Sequence, residues 1–531
     1  MPPPKPKPRA SVAGKLLVAL VKLIWAAFVI ATPVAGAWLA SSLAAYANGP
    51  IWLAALAGLI LFPLLPLAWD LHAERRRARR KDARPRVLTL WDRLILRTLL
   101  VNLAFLAALL ATHPQRGFTA LSTRGDWMLD GRQGPAAAAA RKQLFRAADR
   151  LEWLYLAVRE NPFADPDGDR PQPAPEPQAS GSARAQPAPE PQASGSAQPQ
   201  PAPEPQASGS AQPQPAPEPQ GSDRPAPSPA PAPPPAARAW PFPAQLHPAI
   251  ERMPPEAEQS IESVAAYVRS VEPDQVQRIK AVHDYVADRI AYDGVAYTTR
   301  RFPPQTAEVV FQTRTGVCAG YAALFVAIGR AIGADVQYVV GQSRTQGMRN
   351  DGSSHAWNAV TIEGRRYLVD TTWDSGSLDG ATFKKGYRTE YFLTPPEVFG
   401  LDHFPDDPRL QLRDAPISRG DFLRQPMLRP SFYAHGLELL SPTRSQITVQ
   451  GEIAIELSNP RGRFALADFA EQAAAATGGG ERPRCEVTNG PTARLRCRFP
   501  APGSYAVRLF SGPEQYGSYE YVGQIEVNSG S

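Results

Sequence analysis

The chain has 531 residues, enough for roughly two or three domains, and its formal net charge of +7 makes it basic. Much of the excess charge lies at residues 75–81 (RRRARRK), between apolar segments, where a cytoplasmic loop is a commoner explanation than a nucleic-acid-binding surface. The three cysteines and seven histidines include no CxxC or HExxH pattern and do not cluster. We therefore expect no nucleic acid, no metal site and no cofactor.

The N-terminal part predicts a membrane anchor with three transmembrane helices over residues 1–112. Apolar stretches at 16–47, 51–69 and 94–112 are each long enough, at roughly 20 residues, to cross a hydrocarbon core. A cleaved signal peptide is the alternative for the first stretch, but its length and the second stretch argue against it. Arg97 makes the third stretch the weakest, although a cation near a helix end can extend to the interface.

The charges around these stretches predict the orientation. The tail before the first stretch and the block at 75–81 are both basic, whereas the loop at 41–50 carries no charge. Positive loops remain in the cytoplasm, so everything after Thr112 is expected outside. The Ala-, Pro- and Arg-rich composition is typical of bacteria with GC-rich genomes. We therefore expect a multi-pass protein of the inner (cytoplasmic) membrane, with its C-terminal domains on the periplasmic side of the bilayer.

Two segments without evident chemistry follow. Residues 113–165 predict a juxtamembrane helical segment, since Leu144, Ala148 and Leu151 recur at helical spacing. Residues 166–243 predict a disordered linker, in which the unit PAPEPQASGS recurs with a period of 14. Such a composition cannot form a packed core, and proline favours an extended tether. A ligand for proline-recognition modules is the alternative.

The remaining chain predicts two folded domains, at 244–430 and 431–531. In the first, helices are expected at 254–271, at 273–292 and from Cys318, with strands from Val336 onward. In the second, alternating segments separated by turn residues predict a small β-sandwich. The predicted strands of that sandwich are 447–457, 484–488, 494–499, 505–510 and 519–527.

Cys318 is placed where a reactive thiol would be expected. It follows a turn at Gly316 and begins an almost uncharged run that predicts a buried helix. At a helix N-terminus the backbone N–H groups and the dipole favour a thiolate and can also bind an oxyanion. A small apolar core residue is the alternative for a lone cysteine.

His355 and Asp370 are expected to meet across a β-hairpin. If Glu363-Gly364 is a two-residue loop, Asp370 is a diagonal neighbour of His355 on the same face of the sheet. A three-residue loop would place Asp370 on the opposite face. A histidine oriented by a carboxylate is the base that a cysteine nucleophile requires. Asp374 is a second candidate for the orienting acid.

Two further pairs complete the predictions from individual residues. His283 and Asp284 lie on a predicted helix and are interpreted as structural. Cys485 and Cys497 flank a predicted hairpin at equal distances from Pro491, so we expect a disulfide, which an oxidising compartment would permit. Two unpaired core thiols are the alternative.

The chemistry-bearing segments resemble a known family. GVCAGY at 316–321, HAWN at 355–358 and YLVDTTWD at 367–374 are similar to core motifs of the transglutaminase-like superfamily. IAYD at 290–293, YFLTPP at 391–396, HFP at 403–405 and the segment 422–432 resemble its kyphoscoliosis peptidase branch. The resemblance covers residues 254–441, about a third of the chain, and excludes the membrane stretches and the linker.

The resemblance implies a papain-like α+β core followed by an immunoglobulin-like β-sandwich. It implies a triad in which Cys318 attacks an amide, His355 transfers protons and Asp370 orients the imidazole, with Trp357 lining the cleft. We therefore expect a tethered thiol enzyme acting on peptides or proteins of the cell envelope by hydrolysis, deamidation or cross-linking. The alternative is a catalytically silent scaffold or binding module, with the immunoglobulin-like domain carrying the interaction.

Overall fold

The computed structural model describes residues 12–47, 49, 51–79, 88–132, 134–156, 161–163, 239–345, 352–472 and 482–530. Residues 1–170 and 240–531 belong to one compact unit. The basic tail before Val12, the end of the basic block at Arg80 and Lys81, and nearly all of the predicted linker lie outside the described residues.

Apolar helices dominate the N-terminal part. They are α1 (Val12–Tyr46), α2 (Ile51–Leu59), α3 (Leu65–Ala78) and α4 (Leu90–Thr112). A kinked segment, Ile60–Leu64, joins α2 to α3, and Phe62 within it has extended backbone angles. Within the described residues, three stretches are long and apolar enough to cross a membrane, namely Leu16–Tyr46, Trp52–Ala78 and Leu90–Thr112.

Helix α4 begins earlier than its apolar pattern predicts. Thr89 Oγ1 accepts the N–H of Asp92, and Asp92 Oδ2 accepts the N–H of Thr89 at 3.0 Å, which is a reciprocal N-terminal cap. Arg97 does not stand alone near the helix start, because its guanidinium pairs with the buried carboxylate of Asp70 on α3. Arg93 donates to the same carboxylate at 3.2 Å.

The juxtamembrane segment is helical and docks on the C-terminal part of the chain. Its helices are α5 (Pro114–Arg124), α6 (Pro135–Asp149) and α7 (Glu152–Leu156). Phe118 and Tyr155 are buried in one cluster with Phe404 and Phe422. The hydroxyl of Tyr155 also accepts a hydrogen bond from Gln342 Nε2 at 2.6 Å. No sequence pattern predicted this docking.

Helices form one side of the central domain. They are α8 (Pro248–Glu251), α9 (Ile261–Val271), α10 (Gln275–Arg289), α11 (Gly294–Thr299), α12 (Ala307–Thr313) and α13 (Cys318–Ala331). The side chains of Ser260 and Asp274 cap α9 and α10 by accepting N–H groups of their first turns. Helix α13 is buried along most of its length, as its nearly uncharged sequence predicted.

The strands of the central domain are β1 (Ala291–Tyr292), β2 (Thr315–Gly316), β3 (Asp335–Ser343), β4 (Ser353–Ile362), β5 (Arg365–Val369), β6 (Gly376–Asp379), β7 (Thr382–Lys385), β8 (Phe392–Thr394) and β9 (His403–Pro405). Five of them form an antiparallel sheet in the order β8-β5-β4-β3-β9, which packs against α13. The short strands β1 and β2 pair in parallel immediately before α13.

The hairpin between β4 and β5 has the predicted register. Ile362 lies opposite Arg365, so the loop consists of Glu363 and Gly364. Both loop residues have positive φ, 52° and 75° respectively, as a type I′ turn requires. This register places His355 and Asp370 on the same face of the sheet.

The C-terminal part is a β-sandwich. Short helices α14 (Pro396–Phe399), α15 (Arg419–Arg424) and α16 (Pro430–Ala434) connect it to the central domain. Its strands are β10 (Met427–Leu428), β11 (Glu438–Ser441), β12 (Ile447–Gln450), β13 (Glu452–Ser458), β14 (Phe464–Glu471), β15 (Glu486–Thr488), β16 (Thr492–Arg498), β17 (Gly503–Gly512) and β18 (Glu520–Gly530). One sheet has the order β10-β18-β17-β14 with β12 paired to β18, and the other has the order β11-β13-β16-β15.

The predicted strands of the sandwich differ from the observed ones in two respects. The single strand expected at 447–457 is divided at Gly451, whose φ is 74°, and its halves belong to different sheets. Strands β10, β11 and β14 were not predicted. The expected bridge between Cys485 and Cys497 is present in the structure, because the pairing of Glu486 with Arg496 brings the two cysteines opposite each other.

Candidate active site

Cys318 occupies the first position of α13. The preceding residue, Val317, has extended backbone geometry, and its N–H donates to Gln305 Oε1 at 2.8 Å. A Cβ at Gly320 would lie 2.6 Å from atoms of Gln305 and Val310, so glycine allows α12 to approach this turn closely. The sulfur therefore lies at the positive end of a buried helix, where the dipole favours a thiolate.

His355 and Asp370 are in direct contact. His355 Nε2 lies 2.7 Å from Asp370 Oδ2. Burial lowers the pKa of His355, but the Asp370 carboxylate and a hydrogen bond with Cys318 outweigh burial and raise that pKa to about 9. Burial raises the pKa of Asp370, whereas His355 and His403 hold it well below its usual range. The structure thus brings together Cys318, His355 and Asp370.

A second histidine contacts the same carboxylate. His403 Nε2 lies 3.0 Å from Asp370 Oδ2, and the rings of His403 and His355 are 5.3 Å apart. The expectation that the histidines do not cluster was therefore wrong for this pair. Sequence reasoning missed the contact because it depends on β9 pairing with β3 at the edge of the sheet.

Asp374 does not contact His355 and belongs to another buried network. Asp374 Oδ2 lies 3.1 Å from His283 Nε2, and its carboxylate also accepts the N–H of Tyr391. His283 Nδ1 lies 2.9 Å from Asp284 Oδ1. These contacts join helix α10 to the loop after β5, which is consistent with the structural interpretation of His283 and Asp284.

A cavity of about 420 Å³ opens beside His355. Trp373, Tyr292 and Tyr297 contribute aromatic surface to its lining. Further lining residues carry charge, namely Arg344, Arg388, Glu390 and Arg429. Tyr521 of β18 also lines the cavity, which therefore reaches the sandwich domain.

The predicted role of Trp357 in this cleft was wrong. Trp357 is only 1% exposed and packs within a cluster around Leu368 and Phe399. Trp373, which follows Asp370 in the chain, lines the cavity instead. Trp357 follows His355 by two residues in β4, so both side chains lie on the same face of the sheet. The strand at the edge of the sheet, however, covers Trp357.

Cys318 itself is covered. It is 1% exposed and belongs to an apolar cluster with Phe163, Ala296 and Ala319. The residues that line the cavity include His355 but not Cys318. A substrate must therefore displace part of this cover to reach the sulfur.

The group His355, Asp370 and His403 also has donor atoms within 4.8 Å of one another, a spacing compatible with a metal ion. Asp370 Oδ2 accepts from both Nε2 atoms, so each of these nitrogens carries a proton and has no lone pair for a metal. The arrangement fits a hydrogen-bond network better than a metal centre.

Comparisons with known proteins identify two types of domain in this chain. Residues 262–371 match the family described as the transglutaminase-like superfamily. The chain contains a transglutaminase-like core. Residues 419–529 match the KY-like, immunoglobulin-like domain, so the sandwich is of the immunoglobulin-like type.

Relatives of the transglutaminase-like core include the kyphoscoliosis peptidases of Mus musculus and Homo sapiens. Each is 34% identical over 192 residues, which is 35% of this chain and 29% of the relative. A LIM and transglutaminase domain protein of Caenorhabditis elegans is 30% identical over 97 residues, covering 16% of this chain and 13% of that protein. The matched segments thus span less than a third of these relatives.

Solved structures were also matched. One is a crystal structure of a candidate cysteine protease from Cytophaga hutchinsonii, with 21% identity, coverage of 22% of this chain and 37% of that chain, and a TM-score of 0.19. Another is described as a TGase, with 18% identity, coverage of 25% and 34%, and a TM-score of 0.18.

Proposed function

We propose that this protein is a membrane-tethered thiol enzyme that acts on amide bonds of peptides or proteins outside the cytoplasm. The observation that carries the proposal is the 2.7 Å contact of His355 with Asp370, beside a cysteine at the N-terminus of α13 that acts on the same imidazole. A proton shared between a thiol and an oriented imidazole yields the thiolate that attacks acyl groups.

The reaction follows from the positions of these groups. The Cys318 thiolate attacks the amide carbonyl, and first-turn N–H groups of α13 stabilise the oxyanion. The His355 imidazolium then gives its proton to the leaving amine, and an acyl-enzyme remains. His355 next takes a proton from the acceptor, which is water for hydrolysis or deamidation and an amine for cross-linking.

The anchor supports a location at the membrane. We propose that α1, the α2–α3 stretch and α4 cross the inner (cytoplasmic) membrane, with residues 75–81 inside and the transglutaminase-like core outside, because basic loops remain cytoplasmic. A reporter active only outside the cytoplasm, fused after Asn161, should be on, and a fusion at residue 80 should be off. The reverse pattern would contradict this orientation.

The buried position of Cys318 favours a second candidate, a catalytically silent binding module. The two candidates predict different reactivities for the Cys318 thiol. An enzyme requires that Cys318 react with iodoacetamide in the folded protein faster than free cysteine does, since His355 can take the proton of the thiol. A core cysteine would react only after unfolding.

The deciding experiment combines labelling with an amide assay. Wild-type protein, Cys318→Ala and His355→Ala are compared by thermal unfolding, by iodoacetamide labelling, and by ammonia release or amine incorporation on a glutamine-containing peptide. Peptide hydrolysis is followed in parallel. The enzyme proposal expects both variants to remain folded and both to lose activity. Absence of all activity in the wild type, with labelling no faster than free cysteine, would favour the binding module.

A further inference from the structure

The Asp370 carboxylate accepts hydrogen bonds at both oxygens. Oδ1 accepts the N–H groups of Thr372 at 2.8 Å and Trp373 at 3.1 Å. Oδ2 accepts from His355 at 2.7 Å and from His403 at 3.0 Å. Since a carboxylate has roughly four acceptor sites, the described residues occupy all of them. The position of Asp370 therefore depends on His403 as well as on the loop after β5.

His403 lies between two carboxylates. Its Nε2 faces Asp370, and its Nδ1 lies 2.7 Å from Asp402 Oδ1. An ionised carboxylate only accepts, so each ring nitrogen carries a proton and the ring is an imidazolium. Burial lowers the pKa of His403, but Asp402 and Asp370 outweigh burial and raise it to about 9. Tyr391 fixes the far end by donating to Asp402 Oδ2 at 2.5 Å.

We propose that His403 is a positioning residue of the active site, a charged donor that holds Asp370 Oδ2 in place and limits how strongly this carboxylate retains the proton of His355. The role is exerted through Asp370, since His403 is fully buried and does not line the cavity. The proposal rests on the proposed function, because it concerns the proton that His355 exchanges with Cys318.

Two cationic rings share a single carboxylate oxygen in this arrangement. Charges within 4–6 Å of a titrating group shift its pKa by about 1–3 units, and the two rings are 5.3 Å apart. Without the charge on His403, Asp370 would attract the proton of His355 more strongly. His355 would then be a weaker acid toward the leaving amine, so His403 keeps the imidazole able to release its proton.

Other ionisable groups also surround His403 and its two carboxylate partners. The titratable rings of His355 and Tyr391 lie 5.3 Å and 5.4 Å from the His403 ring, and Trp357, Trp373 and Phe399 pack around it. The buried guanidinium of Arg344 acts on Asp402. The ionisable groups that act on Asp370, besides the two histidines, include Asp374, Tyr292 and Tyr321.

The test measures the pH dependence of Cys318 alkylation by iodoacetamide in the full chain, in detergent micelles. Cys318 is the remaining thiol, because Cys485 and Cys497 form a disulfide. In the wild type the rate should change near pH 9, where His355 loses its proton. In His403→Gln, which keeps a donor but removes the charge, this inflection should move up by about one pH unit.

A second variant guards against misfolding. His403→Gln leaves the buried Asp402 carboxylate without the imidazolium beside it, which costs stability. Asp402→Asn/His403→Gln removes both of these charges together. The inflection should still move up in the double variant, since His403 contacts Asp370 directly and Asp402 faces the other ring nitrogen. NMR of isotope-labelled histidine would follow the His355 ring itself and should give the same shift.

The matched control is His283→Gln. His283 is also buried between two carboxylates, Asp284 and Asp374, but it does not contact Asp370. Its loss should lower stability without moving the inflection. If both His403 variants fold and their profiles overlay that of the wild type, the positioning role is rejected. If instead the wild type reacts as an ordinary thiol with no inflection, the proposed function itself fails.

Discussion

Gly341 on β3 lies directly opposite His355 on β4. A Cβ at position 341 would overlap the ring of Trp357 and the carbonyl oxygen of Phe404, and would lie 2.7 Å from the Cα of Pro405. Glycine therefore lets β9 and the Trp357 ring approach the strand that carries the imidazole. The close approach also brings His403, at the start of β9, to Asp370.

Gly341→Ala should disturb this arrangement. The added methyl group must displace backbone atoms of β9, and overpacking of this kind costs about 1–3 kcal/mol. We expect a lower melting temperature and a lower rate of Cys318 alkylation in the folded protein. Gly386→Ala is the control, because its φ is not positive and a Cβ there would meet only the Cα of Gly376, at 3.9 Å. Equal alkylation rates in wild type and Gly341→Ala would show that β9 does not set the active-site geometry.

Asp370→Asn should nearly abolish turnover while retaining the nucleophile. The amide is neutral and cannot stabilise the imidazolium of His355, and the equivalent change in a serine protease triad costs about 10⁴-fold in kcat. We expect a loss of about 10³- to 10⁴-fold in amide turnover. The measurement is the rate of ammonia release at saturating peptide.

Asp374→Asn provides the comparison for this variant. It removes a carboxylate from the His283 network, four residues further along the chain. We expect reduced stability and nearly unchanged turnover per folded molecule. A similar loss of turnover in both variants would mean that Asp370 has no special role in orienting His355.

The local parts of the site were predictable from sequence. The two-residue turn at Glu363-Gly364 determines the register of β4 and β5, and so the contact of His355 with Asp370. In the same way, the hairpin around Pro491 determines the pairing of Cys485 with Cys497. Each of these predictions depends on a turn of fixed length between strands that are adjacent in the chain.

The features that sequence reasoning missed depend on long-range packing. His403 reaches Asp370 because β9 pairs with the far edge of β3, and no periodicity in a three-residue strand indicates this. Strand β14 contains alanine and acidic residues in place of the usual β-branched ones, and pairing with β17 overrides this weak propensity. The docking of Tyr155 on Gln342 likewise joins residues far apart in the chain.

The two active-site histidines should make the folded core less stable at alkaline pH. The pKa values of His355 and His403 are raised from 6.5 to about 9. A raised folded-state pKa contributes stability that is complete below the unfolded value and is lost as pH rises through the folded value. The melting temperature should therefore fall between about pH 6.5 and pH 9, with each histidine contributing up to about 1.4 kcal/mol per pH unit.

The variant His403→Gln tests the origin of this dependence. It lacks one of the two titrating rings, so its melting temperature should be lower at neutral pH but should fall less steeply toward alkaline pH. Differential scanning calorimetry across this window gives both quantities. A melting temperature that stays constant through pH 9 in the wild type would contradict the charged state assigned to the two rings.

The bridge between Cys485 and Cys497 should stabilise the immunoglobulin-like domain. It closes a loop with a sequence separation of 12, and loops of this size contribute about 3 kcal/mol in the chain-entropy description. Cys485→Ala/Cys497→Ala should lower the denaturant midpoint for unfolding of the sandwich. A reducing agent should lower the midpoint of the wild type by a similar amount but leave the midpoint of the double variant unchanged. If reduction has no effect on the wild type, the bridge does not contribute to stability.

The last prediction concerns the polar contact between α3 and α4. Asp70 is 3% exposed and accepts from both Arg93 and Arg97. A buried charge without a partner is costly, and more so in an apolar environment. Replacing all members of a buried ion pair by apolar residues can instead be nearly neutral. Asp70→Leu should therefore reduce accumulation of the protein in membranes strongly, since it removes the carboxylate that the guanidinium groups of Arg93 and Arg97 share.

Restoring charge balance should rescue part of this loss. Asp70→Leu/Arg97→Leu removes one cation together with the anion, and Arg93 retains Glu74 as a partner at 2.9 Å. The double variant should thus accumulate to a higher level than Asp70→Leu, as measured by immunoblotting of washed membranes. His72→Leu, on the same helix, is the control for a polar-to-apolar change. If the double variant accumulates no better than Asp70→Leu, the contact between α3 and α4 does not hold the anchor together.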